Sequence, residues 1–115
     1  MKLARALSTF AKSVALRLGS TAAGRGLLAD FASDDETVRT LAGMFLVRNG
    51  RRSLLILRDA LARREEVPEV LMMLGDIATD ESAELIRRYL GDHDPKVASA
   101  ARAALDILER NRSRS

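Results

Sequence analysis

The chain predicts an all-α fold: a short α-solenoid of about two and a half helical hairpins preceded by an N-terminal amphipathic helix. Three observations predict it. The 115 residues are 47% apolar but only 3% aromatic, with Ala and Leu dominant, which suits closely approaching helices and suits strands poorly. Apolar positions recur every three or four residues. The stretch Asp94-Pro95-Lys96-Val97-Ala98-Ser99-Ala100-Ala101-Arg102-Ala103-Ala104-Leu105 also has weaker echoes upstream.

The length implies one domain with a modest core. The absence of Cys excludes disulfides, cysteine-based zinc sites and thiol nucleophiles, and favours a cytoplasmic setting. No apolar run approaches the roughly 20 residues that cross a bilayer. A net charge of +3 conceals an uneven distribution. Residues 1–29 hold Lys2, Arg5, Lys12, Arg17 and Arg25 and no acid, whereas residues 67–95 hold seven acids against Arg87 and Arg88. A basic end and an acidic middle argue against a simple polyanion binder.

Residues 1–19 read as a basic amphipathic helix. Leu3, Leu7, Phe10, Val14 and Leu18 fall on one face, and Gly19-Ser20 stops it. This stripe is expected either to cap the open end of the helix stack or to dock on a protein partner, with capping preferred. Residues 20–33, which include Gly24 and Gly26, read as a connector with a short helix around Leu27 to Phe31.

The main domain is expected over residues 34–110. Ser33 with Glu36 three residues later forms a capping box, and the helix should run to about Arg48, where Asn49-Gly50 ends it. A second helix spans about Arg51 to Arg63. A third starts near Val67 with Pro68 in its first turn and ends around Ile77. Thr79 or Asp80 caps a fourth that closes at Gly91. Asp94 caps a fifth with Pro95 at its first position, running to about Arg110 before a frayed basic tail, 111–115.

A shift of 59 sets Val38 on Val97, Leu41 on Ala100, Ala42 on Ala101 and Leu46 on Leu105, while a shift of 31 sets Val70 on Ala101 and Leu74 on Leu105. The implied units of 28 and 31 residues fit a two-helix repeat. Asp94-Pro95-Lys96-Val97 with Ala101, Ala104 and Leu105, and Asp35-Glu36-Thr37-Val38-Arg39 with Ala42 and Leu46, resemble the HEAT-like repeats of the phycobilisome-lyase type. The resemblance covers about residues 34 to 110. It implies a stack of helix pairs that binds macromolecules, and it raises a bilin lyase component as one possible activity. A related alkylpurine glycosylase family binds DNA on such helices, but its active-site residues have no match here.

On the second helix Leu54, Leu57 and Leu61 form one stripe, with Leu55 and Ile56 outside it. That breadth suits a helix covered from two sides. Met44, Met72 and Met73 read as core filling or its margin.

No catalytic, cofactor-binding or metal constellation is evident, and no cofactor is expected. The lone His93 lies between Asp92 and Asp94, where adjacent side chains do not converge on one ion. Arg51, Arg52, Arg58, Arg63 and Arg64 place five cations on or beside one helix, suited to phosphate or an acidic surface, with local pairing to Asp59, Glu65 and Glu66 as the alternative. Residues 1–29 also resemble a mitochondrial transit peptide, and a basic amphipathic helix can lie on an anionic membrane. The reading is thus a non-catalytic protein-interaction module or adaptor, a small subunit of a larger assembly. A nucleic-acid-binding module using the arginine face is the alternative.

Overall fold

The computed structural model describes residues 2–17 and 19–114. They form seven helices in the order α1 (Lys2–Arg17), α2 (Thr21–Phe31), α3 (Glu36–Arg48), α4 (Arg51–Ala62), α5 (Val67–Ile77), α6 (Asp80–Arg87) and α7 (Pro95–Ser113). No strand occurs among the described residues, and none of the helices is long and apolar enough to cross a membrane. The chain divides into two compact units, residues 1–56 and 57–115, where the length alone implies one.

In the first unit α1, α2 and α3 pack on one another. The connector expected at 20–33 is itself a helix. Ser20 caps it, its hydroxyl accepting from the Ala23 amide at 3.1 Å. Two glycines lower its propensity by about 1 kcal/mol each, but both are used for close approach. Gly24 is buried beneath the Ile56 and Leu16 side-chain ends, and Gly26 lies under the aliphatic stem of Lys12. α2 runs antiparallel to α1: Arg5 reaches Ser33 (2.6 Å), and Thr9 and Lys12 both reach Asp30 (2.8 and 2.9 Å).

α3 begins two residues later than the Ser33 capping box implies. Asp35 is the cap, its carboxylate accepting from the Thr37 and Val38 amides at 2.9 and 3.3 Å. Ser33 instead accepts from the Asp35 amide and from Arg5, so a carboxylate nearer the dipole end takes the cap. The unit's core comprises Leu16, Leu27, Val38, Ala42, Leu46, Leu54 and Ile56. On α4, Ile56 is buried as the broad apolar arc requires, but Leu55 is 68% exposed. Met44 is likewise on the surface, while Met73 is core.

In the second unit α5, α6 and α7 pack on one another, with α5 and α7 making the most extensive contact. Pro68 sits in the first turn of α5 and Pro95 in that of α7, where no amide is lost. Thr79 caps α6 through a reciprocal box with Ser82. α6 ends at Arg87, and residues 88–91 follow as turns. The core is Leu71, Leu74, Ala83, Ile86, Val97, Ala101, Ala104 and Leu108. The frayed tail expected at 111–115 is instead helical through Ser113. Asn111 donates to the Gly75 carbonyl (3.3 Å), and Arg112 to the Ala78 carbonyl (3.3 Å) and to Asp80. These contacts fix turns that exposed polar residues alone would leave loose.

Candidate interaction surface

α1 is amphipathic, but its apolar stripe faces outward. Leu3, Leu7, Phe10 and Val14 are 71%, 59%, 56% and 43% exposed; Leu18 lies outside the described residues. The buried side is built from Thr9, Ser13 and Leu16, spaced four and three apart. Its polar members are satisfied. The Thr9 hydroxyl lies 2.8 Å from the Asp30 carboxylate and 3.0 Å from the Arg5 carbonyl, and the Ser13 hydroxyl accepts from Asn49 Nδ2 at 3.3 Å. Asp30 also binds Lys12, and Arg5 lies 3.9 Å from Asp35. A hydroxyl face can be buried at little cost once each group has a partner. The helix therefore packs against α2 and α3 chiefly through this hydroxyl-bearing side, and of the apolar stripe Phe10 also touches α3.

α3 extends the apolar surface. Phe10 meets Phe45 edge-to-face with ring centroids 6.0 Å apart, a geometry favoured by the ring quadrupoles. From Phe10–Phe45 to Ser13–Asn49 both helices advance in the same sense, so α1 and α3 run side by side in parallel. Leu41 precedes Phe45 by four positions and shares its side of α3. Along the other edge of the stripe Ala4, Ser8 and Ala11 are exposed and small. The exposed face from Leu3 to Val14 between these edges carries no charge.

The charges gather at one end. Arg17 stands one turn beyond Ser13, and Arg48 precedes Asn49, so both mark the C-terminal ends of the parallel helices. Arg51 and Arg52 open α4 immediately afterwards, and the Arg52 guanidinium lies over Gly19. All four arginines are exposed. The macrodipoles of α1 and α3 favour Arg17 and Arg48 in their last turns, whereas Arg51 and Arg52 open α4 at the opposite dipole end and gain nothing from it.

Of the five arginines on or beside α4, Arg51, Arg52 and Arg58 project from the exposed side of the helix, around Leu55. Arg63 pairs with Asp59 at 3.3 Å. Arg64 forms two hydrogen bonds to the Asp92 carboxylate, at 2.8 and 3.0 Å. This bidentate contact, helped by the Asp94 amide, holds the Asp92 carboxyl well below the usual range, at about 2. Arg64 and its neighbour Glu66 both have positive φ (59° and 47°), conformations that sequence periodicity does not signal. Two members of the arginine group are thus committed to intramolecular pairs.

His93 is exposed, with Nδ1 3.9 Å from Asp92, and Asp94 caps α7 by accepting from the Lys96 amide at 2.9 Å. No group of three or more metal-ligating side chains occurs among the described residues. The residue pair that sequence reasoning missed is Phe45 with Leu41. Both are half-buried, and Phe45 lies against Phe10, a contact between helices that the spacing along one helix does not signal. No protein family, curated protein or solved structure matches the chain.

Proposed function

We propose that this chain is a non-catalytic protein-interaction module, an adaptor that binds a protein partner through the exposed stripe of α1. The observation that carries the reading is the outward orientation of Leu3, Leu7, Phe10 and Val14 on a helix whose opposite face is anchored. Single exposed apolar residues are ordinary, but four in register with Phe45 form a contiguous patch, and such patches mark binding surfaces. The repeat reading is part of the proposal. α3 and α7 begin alike: Asp35 and Asp94 are both extended caps accepting from the second following amide at 2.9 Å, and Val38, Val97, Ala42 and Ala101 are all buried. These shared features support HEAT-like repeats from about residue 34. A cytoplasmic setting belongs to the same reading. Capture from native extract with wild-type and Phe10→Glu chains side by side tests it. The wild type should retain one protein stoichiometrically that the variant loses; identical retention by both, or none by either, removes the reading.

A second reading is favoured by Arg51, Arg52 and Arg58, which share the outer side of α4 with only Leu55 between them. Such a row can follow a phosphate backbone, and its affinity would fall steeply with salt. Retardation of duplex DNA or RNA at low salt, lost in the triple Arg→Glu variant, is expected on this reading. Unretarded nucleic acid eliminates it.

A further inference from the structure

We infer that the occupant of the α1 surface is an amphipathic helix of another protein that lies antiparallel to α1 and carries carboxylates in its first turn. The inference rests on the protein-binding reading above and adds the chemistry and direction of the partner.

The shape of the surface calls for a helix. α1 and α3 lie parallel, joined by Phe10 and Phe45, so apolar side chains of both helices adjoin on one surface. Leu3, Leu7, Phe10 and Val14 are spaced four, three and four apart, the period at which knobs of one helix enter holes of another. The adjoining row of Ala4, Ser8 and Ala11 removes bulk where a second backbone would approach.

Electrostatics sets the partner's charge and direction. Arg17 and Arg48 stand at the end of the apolar surface beyond Val14 and Phe45, with Arg51 and Arg52 next in the chain. The N-terminus of α4 offsets the C-terminal dipole ends of α1 and α3, so the four exposed arginines set the direction: they call for carboxylates, which an antiparallel helix carries there in its first turn. Carboxylates in that first turn would stabilise the partner's own helix and pair with the arginines.

The alternatives fit less well. A helix lying on an anionic bilayer needs cations along its flanks, whereas here the row of Ala4, Ser8 and Ala11 is uncharged and Arg5 and Lys12 are turned to Asp35 and Asp30. A second copy of α1 brings more cations and no acid from residues 1–29, so parallel pairing would oppose Arg17 to Arg17.

The test is selection from a displayed library of amphipathic 18-residue peptides with the full chain as target, followed by affinity measurement. Selected peptides should carry apolar residues at i, i+3, i+4 and i+7 and Asp or Glu in the first turn. Binding should fall by about tenfold or more in Arg17→Glu/Arg48→Glu, and return when the peptide acids become Lys. Peptides that need Phe10 yet show no acidic bias, prefer acids in the last turn, or ignore the double variant overturn the inference and leave protein binding standing. Selection of no peptide sensitive to Phe10→Glu sinks both. Tighter binding to phosphatidylserine vesicles, or a dimer in sedimentation that Phe10→Glu dissociates, also overturns it.

Discussion

Gly75 on α5 crosses the Ala104 backbone of α7 so closely that a Cβ there would stand 2.6 Å from the Ala104 carbonyl oxygen. Ala104 has no exposed surface, and Ala101 one turn earlier is equally buried. Small residues on both helices allow this approach, and the apolar core of the second unit closes around it.

Gly75→Ala is therefore expected to destabilise the protein by about 1–3 kcal/mol, because the obstacle is backbone that no rotamer relieves. The better helix propensity of Ala returns only about 1 kcal/mol. Gly24→Ala is a useful contrast. There the obstructing atoms are the ends of the Ile56 and Leu16 side chains, which can turn away, so the loss should be smaller. Urea midpoints of the two variants check the order.

The Arg64–Asp92 pair predicts a specific acid sensitivity. Asp92 is held at about 2 in the folded protein against an ordinary value of 3.8, first by Arg64 and then by the Asp94 amide. A depressed carboxyl stabilises the fold above its unfolded value and loses that contribution as pH falls toward the folded one. Thermal midpoints should thus decline between about pH 4 and pH 2. Asp92→Asn should lower the midpoint at neutral pH and flatten that decline. An unchanged slope in the variant would remove Asp92 as its source.

The two sides of α1 should respond in opposite ways to substitution. Leu3→Gln and Leu7→Gln, on the exposed side, should change stability by no more than about 0.5 kcal/mol. Leu16→Ala, on the buried side, should cost about 2–5 kcal/mol. Chemical denaturation of the three variants reads the difference directly.

Ala78 ends α5 in a left-handed conformation, φ 57°, while its amide donates to the Leu74 carbonyl at 3.1 Å. A residue with a Cβ pays about 1–2 kcal/mol there. Ala78→Gly should raise stability by about 0.5–1 kcal/mol after the greater freedom of glycine in the unfolded chain is included. A lowered urea midpoint would contradict this.

Local chemistry determined much of the helical layout on its own. Asn49 and Gly50 end α3, Pro68 and Pro95 sit in the first turns of α5 and α7, and Asp94 caps α7, all as residue type dictates. The all-helical class follows from the same signals with the Ala- and Leu-rich composition. Tertiary packing decided the rest. α2 forms despite two glycines because Leu16, Ile56 and Lys12 lie on them, and the last turns of α7 persist because Asn111 and Arg112 find the end of α5. Periodicity marked the stripe from Leu3 to Val14, but it could not tell whether a neighbour covers that face. Asp30 and Asn49 supplied partners for Thr9, Lys12 and Ser13, so the helix buries its polar side and leaves its greasy one open. Amphipathicity is a property of one helix, whereas burial depends on which distant groups satisfy the side turned inward.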